Sequence, residues 1–238
     1  MEKITFEGRK ELDYRANEAY KSLRTNIQFC GADIKVISFT SCTPNEGKSS
    51  VSFNLAASFA ESGKKVILID ADMRKSVLVG RYKVGSIEAG LAHHLAGQKT
   101  FEEVCLQTNI PNMDIIFSGP FVPNPAELLE GERFMKLIQY CREHYDYVFV
   151  DTPPLGSVID SAIVAKNVDG AVIVIEAEAI SYHFVQHIKK QLERSNVRIL
   201  GAVLNKVSMD KGKYGYGKYG YGKYYGRYYG NYSADDGE

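Results

Sequence analysis

The run Ser41-Cys42-Thr43-Pro44-Asn45-Glu46-Gly47-Lys48-Ser49-Ser50 sets a glycine, a cation and a hydroxyl in the order that gripping a polyphosphate requires. A glycine at 47 lets backbone N–H groups approach phosphate oxygens. Lys48 reaches the β- and γ-phosphates, and the Ser49 hydroxyl ligates Mg²⁺. The nucleotide-binding candidates are therefore Cys42, Thr43, Pro44, Asn45, Glu46, Gly47, Lys48, Ser49 and Ser50. The full GxxxxGK[ST] pattern wants glycine at position 42, where this chain has cysteine. Specificity comes from the setting, an apolar run before the loop and an amphipathic stretch after it.

Acidic groups fall where such a loop needs them. Asp70 and Asp72 close one apolar run, in Ile69-Asp70-Ala71-Asp72-Met73-Arg74, and Asp151 closes another, Val148-Phe149-Val150. In an open α/β sheet ligands sit at the carboxyl ends of strands, so the three carboxylates are expected to share one crevice. Ser49, Asp70 and Asp151 are read as the Mg²⁺ ligands, because strand-terminal aspartate beside a phosphate loop is the Walker B arrangement. Asp72 is read as the base, and Arg74 as a charge partner for phosphate or for Asp72. Asn205, which with Lys206 ends the last apolar run, is read as an adenine contact by analogy with NKxD, although Ser208 replaces the acid of that motif.

A second chemical signal lies at the far end. Lys211 to Tyr232 holds nine Tyr, seven Gly, five Lys or Arg and one Asn, and no aliphatic residue. Such a segment cannot build a core and reads as a flexible tail over 209–238. A nucleotide site joined to a tyrosine-dense tail points to phosphoryl transfer onto Tyr214, Tyr216, Tyr219, Tyr221, Tyr224, Tyr225, Tyr228, Tyr229 and Tyr232. Each phosphate adds about −1.5 to −2 charge, which would turn a cationic tail anionic. Taken alone, the tail is equally compatible with a nucleic-acid or polysaccharide contact through Tyr stacking and basic residues, and with a solvated low-complexity end that has no role.

The elements that must position these groups are legible as alternation. Continuous β-branched runs at 35–40, 65–70, 113–117, 147–151, 171–175 and 199–204 read as strands covered on both faces. Amphipathic stretches at about 48–62, 125–144, 158–167 and 181–195 read as helices, with a further helix over 12–30. The order implies a mostly parallel sheet with helices on both faces, a P-loop NTPase three-layer α/β sandwich over 1–208. A chain of 238 residues with 29 basic and 29 acidic groups is neutral, which argues against a coat for duplex DNA, and nucleic acid is not expected as a partner. No apolar run approaches a bilayer span and no apolar leader follows Met1. Four scattered cysteines suit a reducing cytosol, so a cytoplasmic location is expected. His183 and His187 stand one helical turn apart, but without a third ligand they read as a surface pair.

With those residues in view, the chain resembles the bacterial tyrosine kinases (BY-kinases) of capsule and exopolysaccharide operons, the cytoplasmic CpsD/CapB type. Ser41–Ser50 matches Walker A, Ile67–Arg74 the DxDxR Walker A′, and Val148–Pro154 Walker B. The tyrosine cluster matches as well, and Glu18-Ala19-Tyr20-Lys21-Ser22-Leu23-Arg24 resembles the family's ExxRxxR oligomerisation segment, with Lys21 in place of Arg. The resemblance implies ATP and Mg²⁺ as cofactors and autophosphorylation of the tail in trans. It implies a homo-oligomeric ring, an octamer, using Glu18, Lys21 and Arg24. It also implies an integral-membrane activator or polysaccharide co-polymerase that recruits the chain to the inner face of the membrane, and a cognate tyrosine phosphatase. The competing reading is a MinD/ParA-type switch ATPase. Its Walker A carries an extra lysine early in the loop, where this chain has Thr43.

Overall fold

The apolar runs collapse into one sheet in the computed structural model, which describes residues 3–208. The strands, in chain order, are β1 (Lys3–Ile4), β2 (Val36–Ser41), β3 (Val66–Asp70), β4 (Cys105–Thr108), β5 (Met113–Ile116), β6 (Tyr147–Asp151), β7 (Gly170–Glu176) and β8 (Ile199–Asn205). The helices are α1 (Tyr14–Gln28), α2 (Lys48–Glu61), α3 (Leu78–Tyr82), α4 (Leu91–Leu95), α5 (Phe101–Val104), α6 (Pro125–Glu130), α7 (Glu132–His144), α8 (Asp160–Ala165) and α9 (Tyr182–Glu193). The sheet order is β1-β4-β5-β3-β6-β2-β7-β8, and every pairing is parallel except β4 against β5.

Two apolar layers explain why the central strands carry no polar alternation. Ile37, Phe39, Leu68 and Phe149 pack on one face with Phe53 and Phe59 of α2. Val36, Ile67, Ile69, Val148 and Val150 pack on the other with Phe134, Leu137 and Ile138 of α7. Successive side chains of a strand point to opposite faces, so both must be apolar when both are covered. Each buried Phe or Leu contributes roughly 1.5–3 kcal/mol.

The structure departs from the sequence expectation at short elements. The stretch 125–144 breaks into α6 and α7 at Gly131, whose backbone is extended (φ −69°, ψ 154°). Strands β1 and β4 and helices α3 and α5 were not anticipated; at two to five residues each they are too short to show a period. The helix expected over 12–30 runs Tyr14–Gln28, started by Asp13, whose carboxylate accepts from the Ala16 N–H at 2.7 Å.

On α1, Lys21 donates to Glu18 at 2.7 Å. Arg24 donates to the Ser58 carbonyl at 2.5 Å and to its hydroxyl at 3.2 Å, tying α1 to α2 within the chain. Among the described residues no helix is long and apolar enough to cross a membrane. The nine tail tyrosines and the segment 209–238 lie outside the described residues.

Candidate active site

Strand β2 delivers the chain to a loop over 42–47, and α2 begins at Lys48. Asn45 (φ 70°) and Gly47 (φ 91°) take left-handed backbone, which curls the loop over the helix end. A Cβ at Gly47 would lie 2.2 Å from the Asn205 side-chain nitrogen, so only glycine fits there. Among the described residues, the backbone N–H groups of Asn45, Glu46, Gly47, Lys48 and Ser49 have no acceptor. Five free donors at the positive end of a largely buried helix make an anion cradle.

The acids arrive on neighbouring strands. Asp70 stands directly opposite Asp151 in the parallel register of β3 and β6, and β6 lies beside β2. Lys48 Nζ donates to Asp72 Oδ2 at 3.1 Å and to Ser49 Oγ at 3.2 Å, and lies 3.7 Å from Asp151 Oδ2. The Lys48, Ser49, Asp70, Asp72 and Asp151 side chains are all buried. Burial alone would lower the Lys48 pKa, but Asp151 and Asp72 outweigh it and raise it, so the ammonium stays charged. Burial, then the nearby Asp151, push Asp70 up to about 7 against the opposing effects of Ser76 and Lys48. Burial raises Asp151 too, opposed by Lys48 and Ser49.

The residues present suit Mg²⁺. Asp151 Oδ1 is buried and has no hydrogen-bond partner, a costly state that a cation would relieve. The donors are a hydroxyl and carboxylates, the hard oxygens that Mg²⁺ prefers. No group of three or more His, Cys, Asp or Glu among the described residues is poised to enclose a metal by itself. Any Mg²⁺ here would complete its shell with water and phosphate oxygens, its usual habit at such sites.

The other residues expected to contact nucleotide also make bonds within the chain. Arg74, expected against phosphate or Asp72, grips Asp160 through its Nε and Nη2 at 2.8 and 2.9 Å. Asp160 is fully buried at the start of α8 and needs a cation. Asn205 was expected on adenine; its amide nitrogen donates to the Glu46 carbonyl at 2.9 Å. The Glu46 carboxylate turns into the protein, accepting from Thr43 and from the Glu176 N–H. The Ser50 hydroxyl accepts from Arg81. Cys42 is buried, and burial, then Glu46, push its thiol up to about 11.

Asp160, Ser76, whose hydroxyl donates to Asp70, and Arg81 went unseen in the sequence. None belongs to a motif, and an acid opening a helix was the only available sign for Asp160. Removing one partner of a buried pair costs about 3–5 kcal/mol, and because the Arg74 side chain is 37% exposed we expect about 2 kcal/mol for Arg74→Ala. Urea midpoints of the two proteins at equal slope measure this.

Hollows exist elsewhere, such as one of about 470 Å³ lined by Phe6, Arg9, Tyr20 and Asn54. It contains none of the chemistry gathered around Lys48, which identifies the site by its groups and not by its volume.

Comparisons with known proteins place the chain in a family. The AAA domain family matches residues 34–202. A protein named Tyrosine-protein kinase CpsD from Streptococcus pneumoniae is 42% identical over 227 residues, 94% of this chain and 96% of that one. The kinase domain of the Escherichia coli tyrosine kinase ETK superposes with a TM-score of 0.78 at 36% identity, covering 85% of this chain and 80% of that one. The septum site-determining protein MinD from Pyrococcus horikoshii OT3, solved with Mg-ADP, superposes at 0.64 with 22% identity over 75% of this chain and 72% of that one, a likeness of fold alone. Kinship along nearly the whole length decides the matter: the chain belongs to the bacterial tyrosine kinases of the CpsD/CapB type.

Proposed function

We propose that this kinase transfers the γ-phosphoryl group of ATP to the tyrosines between Tyr214 and Tyr232 of a neighbouring copy. In this way it regulates synthesis and export of a capsular or extracellular polysaccharide. The observation that carries the reading is Lys48, held between Asp72 and Asp151 at the mouth of five unpaired N–H donors. The N–H cradle and Lys48 grip the phosphates and hold the terminal one in line. Ser49, Asp70 and Asp151 would hold Mg²⁺, which when bound neutralises charge on the β- and γ-phosphates.

Asp72 takes the phenol proton. A tyrosine with pKa near ~10 need not ionise beforehand, because a carboxylate within hydrogen-bond reach accepts its proton late in the transfer. The transition state is loose, so positioning and charge neutralisation do most of the catalysis. Family kinship supports an octameric ring built through Glu18, Lys21 and Arg24. It also supports a membrane activator that brings the kinase to the inner face of the membrane, and a phosphatase that resets the tail.

Deleting 211–238 should remove phosphotyrosine from the purified, activator-stimulated protein, with Mg-ADP affinity changed by less than about twofold, because a segment whose one aliphatic side chain is Ala234 adds no core. Anti-phosphotyrosine blotting and calorimetry make the measurement. Labelling that survives the deletion would place the acceptors elsewhere. ATP hydrolysis without tyrosine labelling, even with activator present, would favour the switch-ATPase reading.

A further inference from the structure

The loop that cradles phosphate is itself held from behind. Glu46 is 1% exposed and no cation pairs with it among the described residues. Both of its carboxylate oxygens are nevertheless occupied. Oε1 accepts from the Thr43 N–H and, at 2.9 Å, from the Thr43 hydroxyl; Oε2 accepts from the Glu176 N–H at 3.0 Å. One side chain thus closes the loop on itself and fastens it to the end of β7.

The end of β8 fastens the same loop on its carbonyl side. Asn205 donates to the Glu46 carbonyl at 2.9 Å, and Lys206 donates to the Asn45 carbonyl at 2.8 Å. Lys206 also pairs with the Glu176 carboxylate at 2.9 Å, which joins the two fastenings. Carbonyls held outward leave the N–H groups of the same peptides turned inward, since the two point in opposite directions across a planar unit. The donors left free are the ones the phosphates need.

We propose that Glu46, Glu176, Asn205 and Lys206 form a clasp that holds the phosphate loop in its binding shape, with Glu46 as its central positioning residue. The clasp rests on the reading of Cys42–Ser50 as the nucleotide site and adds what keeps that site formed. The Glu46 carboxylate, bonded to Thr43 and Glu176, lies outside the cradle to which its own N–H belongs. Its removal lets the loop sample shapes in which the N–H groups no longer converge, and affinity falls by the fraction of time the loop is misformed.

The test is Mg-ADP binding and steady-state phosphotransfer in the full-length chain with its activator. Glu46→Gln keeps the size but presents an NH₂ group to an N–H donor. It should weaken Mg-ADP binding by about tenfold and raise the KM for ATP similarly, with kcat at saturating ATP within about twofold. Asn205→Ala, which cuts the second fastening without touching the buried carboxylate, should weaken binding by about threefold, and it stands in should Glu46→Gln fail to fold. A merely structural Glu46 would lower the melting temperature and the active fraction while leaving the KM unchanged. That result, or unaltered affinity in both folded variants, overturns the clasp. Lys48→Met in the same assay separates the two readings. If it binds Mg-ADP and transfers phosphate like wild type, the nucleotide site is misplaced; if it is impaired while the Glu46 and Asn205 variants are normal, only the clasp fails.

Discussion

Lys48→Met should abolish tyrosine phosphorylation, lowering the rate by on the order of 10²–10³-fold or more, the scale of losing a preorganised charge at a developing anion. Lys48 is 8% exposed and has Asp72 at 3.1 Å and Asp151 at 3.7 Å. Methionine keeps most of the stem's packing but leaves three buried carboxyls without their shared cation. Coulomb repulsion among them then rises, and the site repels phosphate where it formerly attracted it. The measurement is phosphotyrosine formed per minute with activator, ATP and Mg²⁺, beside a thermal melt to establish that the variant is folded. Sustained labelling by a folded Lys48→Met protein would remove the phosphate loop from the mechanism.

Asp72→Asn should separate catalysis from binding. A general base contributes typically 10²–10⁴-fold, so the single-turnover rate should fall by about that factor, while Mg-ADP affinity changes by no more than about threefold. The structure makes the experiment sharper than the sequence did. Asp72 bonds to Lys48 and, through Oδ1, accepts from the Lys75 N–H at 3.0 Å. Asparagine can keep one of these bonds through its carbonyl oxygen but cannot accept a proton. Equal losses of rate and affinity would mean that Asp72 acts by orienting Lys48 and not as the base.

The core of the site was legible because its signals are local. Gly47, Lys48 and Ser49 are consecutive, and Asp70 and Asp151 each follow an apolar run long enough to be a strand. That these ends meet followed from a general property of open parallel sheets, whose strands all finish on one edge. The side-chain pairings were not legible. Arg74 sits two residues from Asp72 in the chain, yet its guanidinium goes to Asp160, 86 residues away, because that buried carboxylate opens α8 where a two-pronged donor can reach it. Asn205 looked like a base-reading residue from its strand-end position, and nothing in the sequence announced the bond from its amide nitrogen to the Glu46 carbonyl, a contact spanning 159 residues.

By itself the sequence determined the class of fold, the loop, the three carboxylates and the tyrosine-dense segment, since periodicity and consecutive motif residues require no knowledge of what lies across the sheet. Only the tertiary structure decided which strand neighbours which. It set Asp70 level with Asp151, turned the Glu46 side chain into the interior, and gave Arg74 its partner. Such choices depend on strand order and register, and these are settled by burial summed over the whole chain, which no short stretch of residues encodes.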